Sequence, residues 1–414
     1  MRVFPPAAAE PPTRPNAEIA RDFLDLAFEL ENGRQIPVFS RFEGPITVRI
    51  LGAAPRSAET DLARLLDRLR REARLDITRT RAAEAAITIN FLPRRAMRRM
   101  VPKAACFVVP RIATWDEYVR ARRATLDWTT VTRRERAAIF IPSDTAPQEI
   151  RDCLHEELAQ ALGPLNDLFR LPDSVFNDDN IHTVLTGFDM LILRAYYAPE
   201  LQVGMTRGAV AARLPGLLAR LNPAGERGGA RPVDPTPRAF VAAIETALGP
   251  GSADYRRVAA AHEAVQIATE HGWRDARAGF AWLAYGRLAL RHHPERAGEA
   301  FRNAEAIYRS DPVLAPHTAH VDLQLAALAL GAGRPEIALD RTGRALPIAM
   351  RAENAALLAS LMMIRAAALE ELGRASEARQ VRLDSLGWAR YGFGSDDEVR
   401  DRLRGIATLA AHSG

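Results

Sequence analysis

Residues Thr145 to Pro164 accommodate one kind of helix, with an apolar arc beside a polar stripe. At about 100° per residue, Ile150, Leu154, Leu158 and Ala161 share an arc that must pack on a core. Beside it, Cys153, Glu156, Glu157 and Gln160 follow at i, i+3, i+4 and i+7. Thr145 and Gln148 have capping-box spacing, and Gly163-Pro164 supplies a stop. The polar stripe is expected to face a groove, with Glu157 at its border and the Glu157 carboxyl pKa raised by partial desolvation.

The surrounding pattern places this helix in an α+β domain over residues 16–222. An amphipathic helix is expected from Ile19 to Leu30 and a strand from Ile46 to Leu51. A second helix is carried by Leu62, Leu65, Leu66, Leu69 and Ala73, and further strands are predicted at Ala86–Leu92, Ala105–Val109 and Ala137–Ile141. Residues 1–15, rich in Pro and Ala, read as a flexible segment, and 223–237 as a Pro- and Gly-containing linker. From 238 to 414 the pattern is helical throughout. Gly333, Ala338, Leu346 and Ala349 recur 40 positions later as Gly373, Ala378, Leu386 and Ala389, and Pro294-Glu295-Arg296-Ala297 precedes Pro335-Glu336-Ile337-Ala338 by 41. Ala326, Gly333 and Ala338 fit the small-residue positions of a tetratricopeptide-like repeat, in units longer than the usual period of about 34. A stacked array of this kind presents a concave surface to a peptide or protein.

The run from Glu156 to Asn166 resembles the long metzincin motif HExxHxxGxxH. Glu156, Gln160 and Asn166 stand where three imidazoles would hold zinc, while Glu157 and Gly163 keep the base and turn positions. His155 opens a shorter frame, but its i+4 partner is Ala159, and His155 points roughly 140° away from Gln160. Downstream, Ser174-Val175-Phe176-Asn177 resembles the metzincin turn, with Phe176 in place of its methionine as an apolar floor; Asp189 and Tyr196-Tyr197 follow on the next helix. Through His155-Glu156-Glu157, Gln160 to Gly163, Asn166-Asp167, Ser174 to Asp179 and Gly204-Met205, the chain also resembles a bacterial domain family of unknown function, over about residues 16–222. That resemblance implies a zincin-like, metallopeptidase-like fold and export from the cytoplasm, but no substrate. The opening Met1-Arg2-Val3-Phe4-Pro5-Pro6 lacks the apolar core of a signal peptide. The expected location is therefore periplasmic or extracytoplasmic if a leader precedes this chain, and cytoplasmic otherwise.

A carboxylate with two neutral amides is a poor zinc site, and without a Lewis acid Glu157 would face water with a pKa near ~15.7. Oxygen ligands suit calcium or magnesium better, with Glu156 joined by Asp167, Asp178 or Asp179. His155 and Phe176 complete the candidate lining. Cys106 and Cys153 are either two buried thiols or one disulfide pinning sheet to helix, a pairing the family resemblance favours. Net charge is +5, yet the arginine clusters, Arg133-Arg134 among them, are interspersed with acids and carry no nucleic-acid motif, so they read as solvated faces. No apolar run approaches the ~18 residues of a membrane span. Two functions follow from this reading: a non-classical or inactive metallopeptidase-like protein that binds peptide or protein partners through a relic cleft and a helical-repeat arm, or a peptidase-like hydrolase with an unorthodox metal site and Glu157 as general base.

Overall fold

Two central strands are buried along their length because both of their faces are covered, one of them even at its polar Thr88 and Asn90. In the computed structural model, which describes residues 4, 5 and 9–411 with side chains to 406, β3 (Ile87–Leu92) and β5 (Ala137–Pro142) are almost wholly buried. Beside them lie β1 (Ile46–Gly52), β2 (Ile77–Arg79) and β4 (Phe107–Pro110) in the order β2-β1-β3-β5-β4. All neighbours are parallel except β4, which runs antiparallel to β5 with Phe107 opposite Phe140. Alternation along β5 divides two cores: Ala137, Ile139 and Ile141 enter the main one, while Ala138 and Phe140 meet Met97 and Ile112 on the opposite face.

Helices α1 (Asn16–Phe28), α2 (Arg56–Glu72) and α5 (Pro147–Leu162) cover the main face, and the short α3 (Arg94–Met100) and α4 (Trp115–Arg120) the other. After α5 come α6 (Gly187–Tyr196), α7 (Arg207–Ala211) and α8 (Leu214–Leu221). The apolar arc of α5 is buried as its spacing requires, with Leu154, Leu158 and Ala161 inaccessible. Its start differs from expectation: Ala146 is the N-cap and no side chain caps it. Pro147 already presets the first helical φ. Gln148 is drawn instead into the helical region, donating to Asn354 Oδ1 (3.1 Å) and accepting from the Ala356 amide (2.9 Å). Gly163 ends the helix where a Cβ would meet the Tyr196 ring at 2.9 Å.

The C-terminal region is all helical: α9 (Arg238–Leu248), α10 (Asp254–Glu270), α11 (Ala276–Ala289), α12 (Pro294–Tyr308), α13 (Ala315–Gly331), α14 (Pro335–Arg351), α15 (Ala355–Glu371), α16 (Ala375–Phe393) and α17 (Asp396–Ala411). Each packs on its successor. The 40-residue recurrence has a structural counterpart. Gly333 and Gly373 both take positive φ (63° and 72°) after α13 and α15, and Ala338, Ala378, Ala349 and Ala389 are all inaccessible in α14 and α16. The spacing exceeds 34 because these helices are long, at 17 and 19 residues.

Parts of two segments read as loose are held in place; residues 1–3 and 6–8 of the first lie outside the described residues. Within residues 1–15, Phe4 is buried against Trp388, ring centroids 4.5 Å apart. Arg14 reaches Asp22 (2.5 Å) and Asp173 (3.0 Å). In the linker, Asp234 accepts from Trp273 Nε1 (2.8 Å), and the preceding Asn222 pairs with Asn16 (2.9 Å). Composition shows that such segments lack regular structure; it does not show that one aromatic or carboxylate anchors them.

Candidate functional site

The end of α5 is capped by side chains far away in sequence. An α-helix leaves its last carbonyls unsatisfied. Arg134 donates to the carbonyls of Gln160 (2.7 Å), Ala161 (2.8 Å) and Gly163 (2.5 Å), and Tyr197 Oη donates to that of Leu162 (2.9 Å). Arg134 is 3% exposed and lies over the Trp128 ring at 4.8 Å. This corrects its reading as part of a solvated arginine face. Burial holds its pKa below the usual guanidinium value, and the helix C-terminus supplies the negative end that it faces. The other side of α5 is fixed covalently, since Cys106, just before β4, is disulfide-bonded to Cys153.

Beyond the cap, the chain crosses the end of α1. The Leu165 amide donates to the Leu26 carbonyl (3.0 Å) and Asn166 Nδ2 to that of Asp25 (3.1 Å). Asp167 is thereby brought back to Gln160, whose Nε2 lies 3.5 Å from Asp167 Oδ2. A tight turn with Gly33 at φ 80° carries Glu31 toward the same place. Glu156, Glu157, Asp167, Asp178 and Glu31 make up one acidic cluster, in which each neighbour that shifts the first three is itself acidic. It grades from buried to open: Glu157 is 5% exposed, Glu156 and Asp167 are partly buried, and Glu31 and Asp178 are exposed. Glu157 Oε2 and Asp167 Oδ1 are buried without hydrogen-bond partners.

The electrostatics follow from that geometry. Burial, then Asp178, Glu31 and Asp152, lifts the Glu156 carboxyl from 4.5 to about 8. Burial and the neighbouring Glu156 and Glu31 hold Glu157 well above the ordinary range, and burial with Asp178, Glu31 and Glu156 does the same for Asp167. Asp178 rises to about 7 through desolvation and the charges of Glu31, Glu245 and Asp179; as an exposed residue its share is blunted by solvent screening. Well below pH 3.8, the ordinary Asp value, these carboxyls are protonated in both folded and unfolded chains. As pH rises, the unfolded chain ionises while the fold keeps its protons, so stability is lost up to about pH 8. Carboxylates held low by arginines, such as Glu305, act below this window. The acidic cluster therefore gives the melting temperature a falling component between about pH 5 and about pH 8, against a rising one from His155, His182 and His320, whose pKa burial lowers. Glu157→Gln should flatten that slope and raise the pH 8 midpoint by about 2 °C or more. Scanning calorimetry of wild type and variant across this range checks it; a wild-type midpoint that rises toward pH 8 relative to that of Glu157→Gln would contradict the assignment.

The other expected site residues disperse. His155 is buried on the far side of α5, its Nδ1 accepting from the Leu185 amide (3.0 Å). Asp179 turns to the helical region and pairs with His317 Nε2 (3.0 Å), so it is not a co-ligand of Glu156. Phe176 is inaccessible in the main core. The Ser174 turn and Asp189 form a buried structural tie: Asp189 accepts from Ser174 Oγ (2.5 Å), the Val175 amide (3.1 Å) and the Thr186 amide (2.8 Å). Gln160 and Asn166 are buried beside the acids, not spread along an open groove, and both amides already donate within the protein. Among the described residues, no three His, Cys, Asp or Glu side chains are grouped to hold a metal ion. Glu156, Asp167 and Asp178 therefore do not form the preorganised hard-cation site considered from sequence.

Glu31 and Arg134 escaped the sequence reading. Glu31 lies 125 residues before Glu156, and only its place next to an Asn-Gly turn marks it. Arg134 carries no local signal of its partners. Among the described residues, no helix is long and apolar enough to cross a membrane. Residues 16–216 match a family described as protein of unknown function (DUF2927). No curated protein and no solved structure matches the chain.

Proposed function

We propose that this is a metallopeptidase-like protein without conventional zinc proteolysis, which binds a peptide or protein partner through the acidic face of α5 and a tetratricopeptide-like helical arm. One observation carries this reading. The carboxyl that would serve as general base, Glu157, is 5% exposed, its Oε2 has no hydrogen-bond partner, and burial beside Glu156 and Glu31 raises its pKa, whereas a base must be ionised to act. The amides at two of the three imidazole positions are engaged with Asp167 and the Asp25 carbonyl. The mixed sheet packed on α5 supports a zincin-like ancestry. The Cys106–Cys153 disulfide supports an oxidising, extracytoplasmic setting.

The alternative, hydrolysis with Glu157 as base, draws on the same perturbed carboxyls, since such groups cluster at catalytic sites. Digestion of casein and of a mixed peptide pool by the full chain separates the two. No cleavage above a buffer control is expected for the wild type or for Glu157→Gln. Turnover by the wild type that Glu157→Gln abolishes, with its circular dichroism melt preserved, would establish the hydrolase instead.

A further inference from the structure

Among the described residues, the charged neighbours that shift Glu156, Glu157 and Asp167 are all acidic, and Glu157 Oε2 and Asp167 Oδ1 are buried without a partner. Removing the partner of a buried polar atom costs about 1–3 kcal/mol, more when the group is charged. The described residues place acids, not bases, around Glu156, Glu157 and Asp167. The partner reading above leaves open what the bound polypeptide must carry, and the inference here rests on that reading. We infer that the acidic cluster receives a basic side chain, lysine or arginine, from a polypeptide partner.

Geometry separates this occupant from a metal ion. Calcium requires six to eight oxygens converged at about 2.3–2.6 Å, and no group of three acidic, histidine or cysteine side chains among the described residues is arranged for an ion. A guanidinium has five donors in a planar fork, and an ammonium has three on a flexible stem. Either can serve oxygens that do not converge on one point as a metal ion requires. The gradient in exposure suits such a ligand. Glu31 and Asp178 are exposed and would steer a cation inward. Glu157 Oε2 and Asp167 Oδ1, buried and unpartnered, would accept its hydrogen bonds. On α9, Glu245 adds to the field at Asp178 and extends the acidic surface onto the helical arm.

The test pans a displayed random dodecapeptide library against the full chain, followed by calorimetry of the selected peptide and of its counterpart with norleucine at the basic position. A recurrent lysine or arginine is expected. Norleucine should weaken binding roughly ten- to a hundredfold, and the pair Glu157→Gln and Asp167→Asn should weaken the parent peptide similarly. If that double variant melts early, Glu31→Gln with Asp178→Asn, both at exposed positions, serves in its place and should lower affinity and its salt dependence. Selected peptides without a shared basic residue, or unchanged affinity of the norleucine form, would overturn the inference and leave the binding reading standing. A library with no enrichment would remove both. Saturable calcium or manganese binding that Glu157→Gln abolishes would overturn it by making the cluster a metal site.

Discussion

Serine at both Cys106 and Cys153 is expected to lower the stability of the α/β region by about 4 kcal/mol, since the bridge closes a loop of 47 residues. That loop contains β4, α4 and β5, and its closure holds the antiparallel edge strand against α5. The cost falls mainly on the unfolded chain, whose freedom the bridge restricts. Guanidinium unfolding followed by far-ultraviolet circular dichroism measures it, with the α/β and helical transitions resolved by local tryptophan signals. Dithiothreitol should shift the wild-type curve toward the variant and leave the variant unchanged. A variant within about 1 kcal/mol of wild type would show that packing alone positions α5.

Arg134→Ala is expected to cost about 3–5 kcal/mol, because it strips one buried cation from the carbonyls of Gln160, Ala161 and Gly163. Arg134→Lys should recover only part of the loss. An ammonium cannot reproduce a planar fork that reaches three carbonyls while lying over Trp128. The damage should also reach the acidic cluster. Gly163 leads directly into Asn166 and Asp167, so a frayed end of α5 releases Asp167 from Gln160. Chemical denaturation gives the stability loss, and amide exchange at residues 160–168 shows whether the loss is local. Protection equal to wild type there would contradict the capping role.

What could be read from sequence follows the range of the interactions. The apolar arc of α5, the strand runs and the recurring Gly333 and Gly373 obey local periodicities, and each became an element where expected. The Ser174 turn and Asp189 were legible only as a metzincin-like order, and the buried tie between them is seen in the fold. Non-local partners were not legible. Arg134 looks like one more arginine in a basic run, and only the fold reveals the carbonyls above it. Glu31 enters the cluster because a turn and the path of residues 163–167 bring it there. Gln148 had the spacing for a cap, but Asn354 and Ala356 competed for it from over 200 positions away. Phe4 lies in a composition typical of loose chain, yet it packs against Trp388 and the Arg151 guanidinium, and its carbonyl accepts from Arg64. The site therefore became apparent as a stripe on a helix, while its electrostatic character came from residues that no local pattern joins.

The proposed function requires that the acidic face of α5 is not a zinc centre. Metal analysis of the full chain, purified without chelator and then dialysed against zinc, tests it most directly. Substoichiometric zinc is expected, with no change in the remaining content on Glu157→Gln or Gln160→Ala. Stoichiometric zinc that Glu156→Ala or Asn166→Ala removes, with the fold intact, would contradict it.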